Sequence, residues 1–154
     1  MGETNETAFA TLAQSLRDFV PFVRTLGLEY EEISPERAVV VLPDRTEVHN
    51  HLGGPHAGAL FSAGETASGA VVLAAFSDHL DRLTPVAARG EVTYRKLAMG
   101  TVSAEAVATR KAADVLAALD AGEKPEFPIT VSFRTADGTQ TGQMTVVWVL
   151  LANR

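Results

Sequence analysis

The sequence predicts an α+β domain in which an antiparallel sheet curls around one long helix. Three observations predict it. From His56 to Phe76 nearly every residue is small or apolar, and a helix that is apolar all round must be buried all round. Two strand-like segments precede this stretch and about four come after it, the last pair joined at Asp137–Gly138, a strong hairpin signal. At 154 residues the chain makes one domain, 1–154, with a sizeable core. A sheet wrapped around the helix is the simplest cover for it.

The elements are taken in chain order. Residues 1–24 read as an N-terminal helix, because Phe9, Leu12, Leu16 and Phe19 recur at helical spacing. Pro21 kinks or ends it, and Gly27 stops any helical continuation. Leu28–Ile33 and Arg37–Leu42 read as strands about a Ser34–Pro35–Glu36 turn, and Pro43–Asp44–Arg45 ends the second. Asn50 to Pro55 is a polar, glycine-rich turn whose Gly53–Gly54–Pro55 prevents an earlier helix start, so the central helix spans 56–77. Val86–Leu97 is a strand with Val92 and Tyr94 on one face and Glu91, Thr93 and Arg95 on the other. A turn at Met99–Gly100 leads to the strand Thr101–Thr109. Residues 112–121 form a short inserted helix closed by Gly122. Glu126–Arg134 and Gln140–Leu151 complete the sheet. Thr145–Leu151 is too uniformly apolar for a half-exposed strand and belongs at a central or doubly covered position.

Composition removes several classes of function. No cysteine is present, which excludes disulfides, thiolate metal sites and cysteine nucleophiles. The net charge of -6 argues against a nucleic-acid partner. The acid is uneven: residues 1–55 hold nine acidic and four basic side chains, whereas 81–134 hold seven and eight. The later strands are therefore the part able to meet an anionic ligand. No basic segment followed by an apolar one opens the chain, so a cytoplasmic location is expected. His56–Phe76 has the length of a membrane span, but Glu65, Ser62, Thr66 and Ser68 interrupt it and no Lys/Arg or aromatic belt flanks it. A buried core helix, and no membrane span, is expected.

Glu65 is the residue that points to chemistry. It lies mid-helix with no Lys or Arg anywhere in the run, and such a carboxylate is costly unless something uses or satisfies it. The bland alternative is a carboxylate hydrogen-bonded to a Ser or Thr of a neighbouring strand. At the helix entrance the N–H groups near Ala57 and Gly58 lack intrahelical partners and, with the helix dipole, suit a developing oxyanion. Asn50 and His56 stand beside that entrance. His56 and Glu65 are nine residues apart, which on a helix is half a revolution and about 13.5 Å of rise. One helix therefore cannot aim both at one atom, whereas two helices side by side in a twofold dimer can. A site shared between subunits is expected.

Other readings are weaker. His49, His51 and His56 lie close in sequence but lack further ligands nearby, so no metal is expected. No Gly-Lys-Ser/Thr follows the glycines, and Ser62 and Ser68 lack a nucleophile elbow. Arg89, Arg95, Lys96, Arg110 and Lys111 read first as solvated strand and edge charges.

The pattern Asn50-x5-His56-Ala-Gly-x6-Glu65, with Tyr94-Arg-Lys-Leu-Ala-Met-Gly100-Thr-Val-Ser-Ala-Glu downstream, resembles the hotdog-fold acyl-CoA thioesterases. The likeness is to the phenylacetic-acid-degradation and 4-hydroxybenzoyl-CoA types and covers about residues 25–152. It implies a hotdog fold of five or six antiparallel strands, a homodimer or homotetramer, and hydrolysis of acyl-CoA without cofactor or metal. By the same resemblance Glu65 acts as general base or nucleophile. The Ala57 and Gly58 N–H groups hold the carbonyl, and Asn50 and His56 of the partner orient water or substrate. Some of the later basic residues then contact the phosphates of coenzyme A. Ala57 departs from the family's glycine, and the 112–121 helix replaces a tight turn and is expected to cap the acyl or pantetheine channel. The resemblance leaves two rivals: a hotdog enoyl hydratase, whose usual His-Phe-Pro turn is missing here, and a non-catalytic acyl-CoA-binding module.

Overall fold

The valine-rich segment Arg37–Leu42 forms a strand, β2, with Ala38, Val40 and Leu42 wholly inside the core. Alternate β-branched residues suit a pleated surface with one face buried. In the computed structural model, which describes residues 2–153, this strand is part of one six-stranded sheet. The other strands are β1 (Glu29–Ile33), β3 (Leu83–Tyr94), β4 (Val102–Ala108), β5 (Phe127–Thr135) and β6 (Gln140–Ala152). Every neighbouring pair is antiparallel, in the order β1-β2-β4-β5-β6-β3. The sheet curves around α3 (Ala57–Ala75), which gives the hotdog fold. As its apolarity requires, the Thr145–Leu151 stretch lies in an interior strand, β6, between β5 and β3. The β5–β6 hairpin turns at Gly138, whose φ of 84° is the left-handed conformation glycine tolerates best.

Small residues let α3 approach the sheet closely. A side chain on Gly64 would put its Cβ 2.7 Å from the Phe133 ring and 2.8 Å from the Met144 sulfur. The buried Ser68 hydroxyl accepts from Trp148 Nε1 at 3.1 Å and donates to the Glu65 carbonyl at 2.7 Å. Those bonds leave neither polar side chain stranded and fix the rotation of α3 about its axis.

The structure corrects several expected boundaries. The helix expected over 1–24 is two helices, α1 (Gly2–Phe19) and α2 (Pro21–Leu26); residue 1 lies outside the described residues. Val20 is extended (φ -112°, ψ 94°) because a residue before proline is pushed out of the helical region. The central helix is one residue shorter at its start and two at its end than 56–77, since His56 is its extended N-cap and Ser77–His79 is a separate 3-10 turn. The strand expected over Val86–Leu97 begins at Leu83 and ends at Tyr94, and as an edge strand it tolerates Pro85. The inserted helix, α4, spans Ala112–Asp120. Its connection leads into Phe127, whose ring packs 5.4 Å from that of Phe76 at the C-terminal end of α3. It thus lies at the far end of α3 from His56 and does not cap that entrance within the chain.

Burial of the central helix is also incomplete. By length and composition α3 could cross a membrane, yet its Leu60–Ala63–Ala67–Ala70–Val71 side packs inside the sheet. The opposite stripe, with Ser62, Glu65, Thr66 and Leu73, is only half-buried. α1 lies beside its C-terminal half and α2 beside its first turns, where Phe22 and Leu26 share a cavity wall with Gly58 and Ser62. β3, at one edge of the sheet, is exposed along most of its 12 residues.

Gly64→Val tests the close approach. It should lower stability by about 1–3 kcal/mol in urea unfolding, the usual cost of overpacking. Wild-type stability would mean that α3 can move off the sheet freely.

Candidate functional site

Asn50 organises the turn that feeds α3. Its Oδ1 accepts from the N–H of Leu52 at 2.8 Å and of Gly54 at 3.3 Å, and its Nδ2 donates to the Pro55 carbonyl at 3.2 Å. Its own N–H donates to the Gly54 carbonyl at 2.7 Å. Such Asx-turns satisfy backbone groups that no ladder reaches. One amide hydrogen of Asn50 is left over.

His56 ends the turn by capping the helix. Its N–H donates to the Val48 carbonyl at 2.8 Å, its carbonyl accepts from Leu60 N–H at 3.0 Å, and its Nδ1 accepts from Gly58 N–H at 2.9 Å. The neutral ring that makes this bond carries its hydrogen on Nε2. The Tyr94 hydroxyl donates to the Ala57 carbonyl at 2.8 Å, so the Ala57–Gly58 peptide is held at both ends. Of the two N–H groups the sequence points to, Gly58's is therefore taken by His56. Ala57's has no partner among the described residues. The sequence marks Tyr94 only as a strand residue, and no local signal distinguishes its role.

Glu65 sits on the half-buried stripe, on the same helix face as Gly58 and Ser62. Among the described residues its carboxylate has neither a hydrogen-bond nor an ion-pair partner. The nearby Ser68 bonds its backbone carbonyl, so the alternative of a carboxylate held by a Ser or Thr is not what the structure contains. Burial raises the Glu65 pKa above the ordinary 4.5. On β1, buried Tyr30 is pushed up to about 12, chiefly by burial; Arg17 lowers it and Glu65 raises it further. Tyr30 is thus a neutral hydroxyl in the electrostatic reach of Glu65, marked in the sequence only as the lone aromatic among the acids of Glu29–Ile33.

The structure does not bring Asn50, His56 and Glu65 together within one chain. Asn50 and Ala57 line a cavity of about 380 Å³ with Tyr94 and the loop that follows it. His56, Gly58 and Ser62 line another, of about 440 Å³, against α2. Glu65 lines neither. His49 Nε2 lies 2.6 Å from Asp44 Oδ1, His51 is exposed, and among the described residues no three His, Asp or Glu side chains converge as metal ligands would.

The raised Glu65 pKa has a pH consequence. In the folded chain the charged form is penalised, so stability is lost as pH rises from about 4.5 through the folded value. Glu65→Gln removes that penalty. It should be more stable than wild type at pH 7, with the difference vanishing below pH 4.5, in urea unfolding across that range. A variant less stable at pH 7 would reveal a favourable partner for the carboxylate.

Among known proteins, no curated one matches the chain. Solved structures share its fold at low identity. A Pseudomonas aeruginosa protein of unknown function, PA5026, described as a probable thioesterase, superposes with a TM-score of 0.83 at 22% identity, over 94% of this chain and 95% of its own. A thioesterase family protein from Silicibacter pomeroyi gives 0.72 at 18% identity, over 94% and 98%. A mutant of the thioesterase PA1618 from Pseudomonas aeruginosa gives 0.75 at 14%, over 92% and 94%. One family model matches residues 8–150, nearly the whole domain. The chain belongs to the family described as a domain of unknown function, DUF4442.

Proposed function

We propose that this protein hydrolyses an acyl-CoA thioester to the free acid and coenzyme A, in the manner of the phenylacetic-acid-degradation and 4-hydroxybenzoyl-CoA thioesterases. The observation that carries this reading is Glu65: a half-buried carboxylate with no partner among the described residues and a raised pKa, on a helix whose first N–H is also unpartnered. Among the described residues nothing consumes that carboxylate, and a base poised nearer neutrality is what proton abstraction from water needs. The thioester carbonyl accepts from the Ala57 N–H, which stabilises the oxyanion. Glu65 takes a proton from water as its oxygen bonds the carbonyl carbon. The tetrahedral adduct then collapses, breaking the C–S bond and releasing the thiolate. Direct attack by Glu65, through an anhydride that water hydrolyses, uses the same groups. The solved thioesterases of this fold support the reaction class.

A homodimer assembles the site in this reading. The exposed β3 edge and the half-buried stripe of α3 are surfaces a second copy would cover, and covering them would bring one chain's helix entrance to the other's Glu65. Tetramers would pair such dimers. Asn50 acts by holding the turn, and His56 by fixing the first peptide of the helix.

The test is thiol release from a panel of acyl-CoAs. Wild type should turn over at least one, and Glu65→Gln and Glu65→Ala should each lose about a hundredfold or more. Wild-type kcat/KM should rise with pH as Glu65 ionises. Wild-type activity in Glu65→Gln sinks the assignment. Mixing His56→Ala with Glu65→Gln probes the shared site: random dimers restore about a quarter of the sites, since half the dimers are mixed and each has one intact site. No recovery in the mixture, or an active monomer by sedimentation, rules sharing out.

A further inference from the structure

The backbone of β1 aims one polar side chain into the core. Tyr30 pairs across the sheet with Val40, and both face inward, Tyr30 with only 7% of its surface exposed and Val40 wholly buried. The register shifts between Tyr30 and Glu32, a bulge that leaves Glu31 as the extra residue. On a regular strand, residues two apart share a face. Here the bulge separates them: Tyr30 turns in among the core residues, whereas Glu32 turns to the other face and pairs with Arg37.

A buried tyrosine hydroxyl ordinarily finds a hydrogen-bond partner. Among the described residues that of Tyr30 has none, although the buried Trp148 and Ser68 side chains bond each other. No sealed polar side-chain atom is left unbonded among the described residues, so the Tyr30 hydroxyl borders space that a small molecule can enter. The charges that act on it are Arg17 of α1 and Glu65 of α3, which puts it where β1 meets both helices, beside the half-buried stripe. Burial pushes its pKa up to about 12, so it remains a protonated donor at any working pH. A phenylalanine would fill the same space without leaving an oxygen unbonded, so the hydroxyl has a use outside the fold.

In the thioesterase reading Glu65 is the one side chain placed on the attacking water, since Asn50 holds the turn and His56 the first peptide of α3. A single contact leaves a water free to rotate, and orientation is part of what catalysis must supply. We infer that the Tyr30 hydroxyl donates to the water that Glu65 deprotonates, and so aims it at the thioester carbon. This rests on the thioesterase reading and adds to it a second catalytic residue. The water accepts the Tyr30 O–H with one lone pair, gives one hydrogen to Glu65 and keeps its second lone pair for the carbonyl carbon. As the C–O bond forms, that hydrogen passes to Glu65 as a proton. Tyr30 keeps its own proton and stays bonded to the new oxygen.

The experiment compares wild type with Tyr30→Phe, which keeps the ring and removes only the oxygen. Urea unfolding should find the variant at least as stable, because no hydrogen bond of the fold is lost. On an acyl-CoA that wild type cleaves, kcat should fall about tenfold with KM unchanged. Hydroxylamine is then added as a second nucleophile. Its nitrogen bonds the thioester carbon as the C–S bond breaks, its released proton goes to the thiolate, and the products are the acyl hydroxamate and coenzyme A. Hydroxylamine needs no aimed water, so the ratio of hydroxamate to free acid should rise about tenfold in the variant. An unchanged kcat overturns the assignment. A less stable variant overturns it as well, since the hydroxyl then serves the fold. So does a reduced kcat with an unchanged product ratio, because the hydroxyl then acts on the site and not on the water. If wild type cleaves no acyl-CoA, the thioesterase reading itself fails and the Tyr30 assignment falls with it.

Discussion

The depth to which α3 sinks into the sheet governs the rest of the molecule. Gly64 lets the Phe133 ring and the Met144 sulfur meet the helix backbone, and Gly90 on β3 leaves room for the Phe61 ring. With the Trp148–Ser68 bond fixing its rotation, the helix has one permitted orientation. Protein interiors are close-packed, so a helix seated this way transmits its position to both ends. The entrance at His56 and the mid-helix carboxylate are thereby held in a fixed relation by groups that touch neither.

That seating also explains why the stripe bearing Glu65 stays half-open. A single sheet can curl over one side of a helix, and the N-terminal helices reach only part of the other. Breaking at Val20 lets α1 border the C-terminal half of α3 and α2 the first turns. What is left uncovered carries a carboxylate with raised pKa beside a buried, un-ionised Tyr30. That stripe of α3 and the long edge strand β3 are two surfaces the chain leaves largely uncovered.

Much of this was legible in the sequence because it rests on local rules. The His56–Phe76 run announced the buried helix, the β2 valines and the Thr145–Leu151 run announced interior strands, and Asp137–Gly138 announced the last hairpin. The Asn50, His56 and Glu65 pattern was also visible, together with the half-revolution that separates its ends. What the sequence hid was long-range. Tyr94 reaches Ala57 across 37 residues, and Tyr30 meets the field of Glu65 from a strand formed early in the chain. The use of the Gly58 N–H was hidden for another reason. Helix-end donors are free by geometry, and only the rotamer of the capping side chain decides which is claimed. Completeness of burial is not legible in the sequence, since apolarity tells how much a helix needs covering and not whether one chain supplies the cover.

The cap at the helix entrance has one more effect, on the division of labour among Asn50, His56 and Glu65. A neutral imidazole has a single lone pair available in the ring plane, and in His56 the chain's own Gly58 amide occupies it. While that bond lasts the Nδ1 lone pair is engaged, and the ring's remaining polar group is the Nε2 hydrogen. The Asn50 Oδ1 is engaged in the same way by the N–H groups of Leu52 and Gly54. Of the three side chains only the Glu65 carboxylate keeps its acceptor atoms free among the described residues.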